Sequence, residues 1–325
     1  MNNPHSPLTP AQLADHAAHL LRAHDRMLVD TVRNRAFHKA LQNLVTADSA
    51  VLDIGAGTGI WAISAALLGA RKVVAIEADE FLIGLIRRLA HEAGVGDRVE
   101  AVWGLSTQVD LGREFDIVVS ETVGYDGFEE QIVPIMVDAR NRFLRPGGKI
   151  VPETVGLFAA GAHFKPLDEA VPRGLPFTFP GFADLNLNAP RRPRRPRDWQ
   201  LMTPARKLIE VNLRHPPGPA VLESLRASWT VENASMINCF AVWVETRLTK
   251  GVRLSTRRTS SWTPVLYPIK SSPGKEAAIE FDLCLAGRTQ WSATITVAGL
   301  DVSQTRSPFL AGQHFLAGLP NGGPP

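Results

Sequence analysis

The chain has 325 residues, a formal net charge of +3 and a hydrophobic share of 45%, which suffices for two packed domains and argues against wholesale disorder. No apolar run approaches the roughly 20 residues that span a bilayer, and the polar opening from Met1 to Pro10 has no apolar core of the kind a secretory signal needs. Cys239 and Cys284 alone supply neither a disulfide framework nor a cysteine zinc site, and so mild a charge does not call for nucleic acid, so the expectation is a cytoplasmic protein without a metal or a membrane anchor.

Taken in chain order, Thr9-Pro10-Ala11-Gln12 predicts a helix start: Thr9 can cap, Pro10 suits the first helical position and Gln12 completes a capping box. The helical pattern continues, with a break, through Met27, Leu28, Val32, Leu41 and Leu44. From Ala50 to about Val151 short apolar runs alternate with helical stretches, predicting strands at Ala50–Ile54, Lys72–Glu77, Arg98–Trp103, Phe115–Glu121 and Lys149–Pro152, with Gly69 and Gly94 as helix stops. Such alternation means crossover units and a doubly wound sheet. Past Pro152, alternating segments at Met236–Arg247, Ser261–Ile269, Ala277–Leu285 and Gln290–Val297 read as strands of an antiparallel barrel or sandwich. The stretch from Pro166 to Asp198 is rich in Pro, Gly and Arg, and Leu319–Pro325 reads as a floppy tail.

Val51-Leu52-Asp53-Ile54-Gly55-Ala56-Gly57-Thr58-Gly59 is a strand running into a glycine-rich turn and then a helix. Gly55 and Gly57 let the backbone bend sharply and approach a ligand closely. Ile60 stands where a dinucleotide fingerprint has its third glycine, and no phosphate-binding lysine follows. Glu77 closes the second strand, where an acid can accept both hydroxyls of a ribose. Alone, the turn could be purely structural. Turn, order and acid together resemble the class I methyltransferases that use S-adenosylmethionine (SAM), and that resemblance implies SAM as cofactor beside Asp53, Gly55, Gly57 and Glu77.

The segment from Phe115 through Ser120-Glu121-Thr122-Val123-Gly124-Tyr125 to Glu129-Glu130 resembles the double-glutamate loop of protein arginine N-methyltransferases, with Glu121 and Glu130 at the two acidic positions. Two carboxylates can grip in plane the fork of N–H donors on a guanidinium. The bland alternative makes Glu129 and Glu130 solvated acids at a helix start. Upstream, His24-Asp25-Arg26-Met27-Leu28-Val29-Asp30-Thr31-Val32-Arg33 resembles the family's helix that folds over the cofactor. The resemblance implies that Arg33 pairs with the methionine carboxylate of SAM, that His24 lies against the cofactor, and that Met27 flanks the reacting nitrogen with Tyr125 on the substrate side.

Other positions depart from the family. Ser261 occupies the histidine position of its Thr-His-Trp loop, and Trp262 is either a lid on the substrate's alkyl stem or a barrel-core tryptophan. Ser106 replaces the acid that often meets the adenine amine, and the aromatic pair of the first helix is missing around Ala14, Asp15 and Ala18. Where the family has a helical dimerisation arm, this chain carries Arg191-Arg192-Pro193-Arg194-Arg195-Pro196-Arg197, read as a solvated loop.

The expected fold is therefore α/β plus β. A helical cap occupies residues 1–48, a doubly wound Rossmann-like SAM-binding sheet 49–152, and an antiparallel β-barrel substrate domain 153–325, with a Pro/Arg-rich insertion near 166–198. The expected reaction is methyl transfer to a guanidinium nitrogen of a protein or peptide arginine. The alternative is a guanidine- or amine-bearing small molecule. A homodimer is compatible with this reading, though the sequence does not name the oligomer, and a nucleic-acid partner is not expected.

Overall fold

A computed structural model describes residues 9–125, 127–168, 189–218, 224–269, 277–285, 291–297 and 300–306. Helix α1 (Pro10–Leu28) begins at the predicted capping box: the Thr9 hydroxyl accepts from the Gln12 N–H at 3.3 Å, and the Gln12 side chain accepts from the Thr9 N–H at 2.9 Å. The expected break falls at Val29–Asp30. There Asp30 caps α2 (Thr31–Leu44), its carboxylate accepting the Arg33 N–H at 3.1 Å. The side chains of Phe37, Ala40 and Leu41 recur at helical spacing and are all buried. They wedge α2 between α3 (Ile60–Leu67) and the strands β10 (Cys239–Thr249) and β11 (Val252–Ser255), so one helix touches both halves of the molecule.

The first sheet runs β3-β2-β1-β4-β5, with every pairing parallel. Its strands are β1 (Ala50–Ile54), β2 (Lys72–Glu77), β3 (Val99–Trp103), β4 (Phe115–Ser120) and β5 (Leu144–Val151), with α4 (Glu80–Glu92) and α5 (Ile132–Arg142) among the crossovers. All five residues of β1 are buried, as a parallel strand covered on both faces requires. Strand order reverses between β1 and β4, and the crevice beyond their carboxyl ends is where such sheets bind ligands. Gly69 and Gly94 terminate helices in left-handed conformation, at φ 101° and 71°. Strand β5 starts five residues before the expected Lys149, because its register with β4 shifts between Phe115 and Ile117 and three exposed residues, Arg145–Gly147, interrupt the apolar run.

The C-terminal half is antiparallel and forms the barrel portion in two sheets. One holds β6 (Thr154–Phe164), β7 (Trp199–Leu201), β8 (Arg206–Asn212), β10, β11 and β12 (Val265–Pro268). The other runs β15-β14-β13-β9, from Leu300–Arg306 through Trp291–Val297 and Ala277–Leu285 to Leu225–Val231. The long strand β6 is absent from the sequence expectation for a physical reason: it is buried on both faces, so it shows no alternation of polar and apolar residues. The expected strand Ser261–Ile269 shortens to β12, since Ser260 and Ser261 are engaged by Asp30 instead. The expected tail at Leu319–Pro325, residue Gln290 and positions 169–188 of the Pro/Arg-rich stretch lie outside the described residues. No helix among the described residues is long and apolar enough to cross a membrane.

Candidate active site

Strand β1 ends in a turn where Gly55, Gly57 and Gly59 have φ of 68°, 57° and 78°, a region that L side chains rarely occupy. Space is as tight as conformation: a Cβ on Gly55 would come 2.7 Å from the Thr122 methyl, and one on Gly57 2.7 Å from His24 Nε2. Helix α1 thus lies directly over the turn. Its other tie is a 2.5 Å contact between His16 Nε2 and Asp79 Oδ2, at the cap of α4. Beneath the turn, Glu77 Oε2 accepts the Gly57 N–H at 2.7 Å, while Oε1 accepts those of Ala78 and Asp79 at 2.7 and 3.0 Å. Three backbone donors hold that carboxylate at the end of β2.

Asp53 is fully buried, its Oδ2 accepting the Ala62 N–H at 3.0 Å while Oδ1 has no partner among the described residues. Burial is the largest influence and drives its pKa up to about 7. The Ala62 bond resists, the negative charge of Glu77 adds to the rise, and Arg33 and Glu121 then act in opposite senses.

A cavity of about 540 Å³ opens between α1, the glycine turn, the end of β2, the loop after β4 and a barrel loop. His24, Arg33, Gly55, Gly57 and Glu77 line one end, and Met27, Glu121, Tyr125, Glu130 and Trp262 the other. The sequence-predicted residues Asp53 and Ser106 are outside its lining, both buried. Among the described residues, no cluster of His, Cys, Asp and Glu is placed to hold a metal.

Arg33 joins the two ends of the cavity. Its Nε donates to Glu121 Oε2 at 2.9 Å, its Nη2 donates to the same oxygen, and Nη1 reaches Asn34 Oδ1 at 2.9 Å. The guanidinium lies 5.0 Å from the ring centre of Trp61, which stacks on Phe37 at 4.7 Å. Sequence reading gave Arg33 and Glu121 separate tasks; here they form one ion pair that fixes one carboxylate oxygen of Glu121.

The loop carrying the glutamates is braced from within. Ser120 Oγ donates to the Ile54 carbonyl at 2.8 Å, and the Glu129 side chain accepts the Tyr125 N–H at 3.0 Å, packing where a Cβ on Gly124 would sit. Glu129 and Glu130 precede the cap of α5, Gln131, a non-glycine residue at φ 67°. Both glutamates are half-buried, and Glu129 acts as a brace through the Tyr125 N–H rather than as a solvated helix-start acid.

Two residues that sequence reasoning did not assign tie the parts together. Asp30, 1% exposed, accepts the N–H groups of Ser260 and Ser261 at 2.8 Å each and the Ser261 hydroxyl at 2.7 Å. Burial alone would raise its pKa. The Ser261 backbone and hydroxyl bonds, then those from Arg33 and Ser260, outweigh that and hold the carboxyl below its ordinary range. Its position as a helix cap was legible, but its partner 231 residues away was not. Trp262 is 5% exposed, packs in the main core and donates its indole N–H to the Gly124 carbonyl, so it is a core tryptophan that also walls the cavity. The second unassigned residue is Arg192, whose guanidinium carbon lies 3.5 Å from the Tyr125 ring centre. The start of the arginine run therefore rests against Tyr125, a residue of the cavity lining, while Arg194, Arg195 and Arg197 are exposed.

A parallel sheet of this order, with a glycine turn and second-strand acid under a capping helix, is the architecture of class I methyltransferases. The sequence profile of the ribosomal protein L11 methyltransferase family (PrmA) matches residues 37–153, which is the sheet domain and little more. Protein arginine N-methyltransferase 6 of Danio rerio is 31% identical over 153 residues, 46% of this chain and 42% of that protein. The arginine N(omega)-methyltransferase of Streptomyces achromogenes subsp. streptozoticus is 29% identical over 278 residues, 79% of this chain and 75% of that protein. The structure of the Trypanosoma brucei PRMT1 enzyme-prozyme heterotetrameric complex with AdoHcy superposes with a TM-score of 0.75 at 20% identity, covering 88% of this chain and 97% of that one. Several further plant relatives are matched over only 25–36% of their length. In sequence over the sheet domain, and in fold over most of its length, the chain is similar to protein arginine N-methyltransferases.

Proposed function

We propose that the chain is a SAM-dependent arginine N-methyltransferase. The observation that carries this reading is one continuous cavity with a nucleoside-type cradle at one end and Glu121 and Glu130 at the other. The residues fit the cofactor: glycines whose Cβ atoms would fill the turn, an acid at the end of β2 for ribose hydroxyls, and the buried cation Arg33 for a carboxylate. Such a cofactor supplies an electrophilic methyl on a sulfonium.

The chain's own residues do the rest. Arg33 holds Glu121 Oε2, leaving Oε1 to face a substrate guanidinium together with Glu130. The two carboxylates align one nitrogen and accept positive charge spread over the fork. A free guanidinium is not deprotonated near neutral pH, so no base removes its proton beforehand; as the nitrogen is methylated, the proton passes to one of the two carboxylates and from there to solvent. Trp262 and Tyr125 wall the site from solvent. The substrate class is an arginine-containing protein or peptide, or a guanidine-bearing small molecule, and the setting we propose is cytoplasmic with a homodimer as the working form.

Incubation with isotopically labelled SAM and either arginine compounds or their lysine counterparts tests the assignment. Label on arginine nitrogens alone is expected, because a point-charge ammonium does not satisfy a planar two-carboxylate fork. Efficient labelling of lysine overturns it.

A further inference from the structure

The start of the arginine run is held beside the cavity lining by two independent features. Arg191 exchanges backbone hydrogen bonds with Leu266 in both directions, each 2.8 Å, which docks the run on strand β12. Next to it, the Arg192 guanidinium carbon lies over the Tyr125 ring, 3.5 Å from its centre, and Pro193 is buried. Desolvation lowers the pKa of Arg191, as expected of a cation tucked against the barrel. Arg192 itself is exposed, and among the described residues no carboxylate pairs with it.

Tyr125 stands between Glu121 and Glu130 in sequence and lines the cavity. Negative charge therefore lines the cavity at the two glutamates, and positive charge sits over the lining residue Tyr125 at Arg192, with Arg194, Arg195 and Arg197 exposed further along the run. A substrate that carries only positive charge gains from the glutamates and loses at Arg192. A substrate with a guanidinium at one end and an anion at the other matches both. Stacking on Tyr125 fixes the plane of the Arg192 fork, which prepares it for a carboxylate.

Resting on the arginine-methyltransferase reading above, we propose that Arg192 is a specificity-determining residue that binds the α-carboxylate of free arginine or a close arginine-like amino acid. A run of arginines beside the cavity lining disfavours arginine-rich polypeptide segments, whose own cations it repels. A free amino acid brings one carboxylate with each guanidinium, and nothing else needs to pass the arginine run.

The test is steady-state methylation by the full chain of L-arginine, of agmatine (the same guanidine without the carboxylate) and of peptides with arginine between acidic or between neutral residues. Wild-type protein is expected to prefer L-arginine to agmatine at least tenfold in kcat/KM. In Arg192→Ala that preference collapses toward one, through a rise of about tenfold in KM for L-arginine with kcat within about twofold. Arg192→Lys restores part of it and Arg192→Glu inverts it. Calorimetric titration with S-adenosylhomocysteine shows that the variants are folded and keep the cofactor cradle. Equal use of arginine and agmatine by the wild type overturns the inference, as does an equal loss on both substrates in Arg192→Ala. Preference for an acidic-flanked peptide over free arginine overturns it in favour of a peptide carboxylate. Methylation of no guanidine at all removes the arginine assignment itself, and this inference with it.

Discussion

The two ends of the cavity are built in opposite ways. The core of the end proposed for the cofactor comes from one short stretch, a strand, a glycine turn and the acid of the next strand, with Glu77 bonded to Gly57 only 20 residues away. His24 and Arg33 join it from the capping helices. The substrate end is assembled from distant segments, with Arg33 reaching Glu121 across 88 residues and Asp30 reaching Ser261 across 231. Local backbone geometry fixes the first, and tertiary packing fixes the second. A contiguous motif resists change in the rest of the fold. An assembled one can be retuned by single residues on loops, as Ser261 and Arg192 illustrate. Damage to the substrate end should therefore appear in turnover, and damage to the cofactor end in affinity.

The largest expected effect is on the glutamates. Glu130→Gln turns an acceptor into a donor that faces the donors of the guanidinium. The cost is several kcal/mol in the transition state, hence on the order of a hundredfold or more in rate. Affinity for S-adenosylhomocysteine should stay within about twofold. Glu121→Gln should lose turnover similarly, and it should also weaken the cofactor complex and lower stability by about 1–3 kcal/mol, because Arg33 is a buried cation that loses its charged partner. Single-turnover rates beside calorimetric titrations decide the matter. Wild-type turnover in Glu130→Gln would remove the clamp and leave a methyltransferase of another target.

Next comes the core of the cofactor end. Asp53 has a folded pKa of about 7, raised from 3.8. A raised carboxyl binds its proton more tightly in the native state. Its contribution is thus complete below about pH 4 and is lost as pH rises through 7. Over that window wild-type stability should fall by a few kcal/mol relative to Asp53→Asn, which does not titrate. Parallel melting curves from pH 4 to 8 would contradict the burial argument.

Third is the cradle itself. Glu77→Ala removes the acid proposed for the ribose and the acceptor of three backbone N–H groups, those of Gly57, Ala78 and Asp79. Charge-assisted bonds of this kind contribute about 1.5–3 kcal/mol each, so affinity for S-adenosylhomocysteine should drop tenfold or more. Turnover at saturating SAM should recover much of its wild-type value. A variant with unchanged affinity but depressed saturated turnover would reverse the contrast between the two ends.

The same contrast explains what the sequence disclosed. The cap at Thr9, strands β1 and β2, the glycine turn and Glu77 were legible because each depends on neighbours within a few residues. The spacing of Glu121 and Glu130 was legible as a family pattern. Strand β6 was hidden because both its faces are covered, which removes the alternation that betrays a strand. The Arg33–Glu121 pair, the Asp30 latch and the Tyr125–Arg192 stack were hidden because side-chain partners so far apart leave no periodic trace. Asp53 was placed in the cofactor lining from its motif position, yet it points into the start of α3, where Ala62 donates to it.

The smallest effect, and the sharpest probe of assembly, is at Ser261. Its hydroxyl is one of four donors to Asp30, and the backbone N–H groups of Arg33, Ser260 and Ser261 remain when it is removed. Ser261→Ala should therefore cost only about 1 kcal/mol at neutral pH. The effect should change with pH in a defined direction. The folded pKa of Asp30 is depressed, so its contribution is present above the unfolded value near 4 and is lost as pH falls through the folded one. The hydroxyl bond is one cause of that depression. Without it the folded pKa moves back up, the latch protonates earlier during acidification, and the midpoint of acid unfolding shifts to higher pH. Melting temperatures between pH 3 and 7, measured on wild type and Ser261→Ala, should differ most near neutral pH and converge as the pH falls and Asp30 is protonated, because the hydroxyl favours the charged carboxylate. If instead the two curves coincide, the Asp30 latch contributes nothing to holding the barrel loop against the capping helix, and the substrate end owes its shape to Trp262 and the core around it.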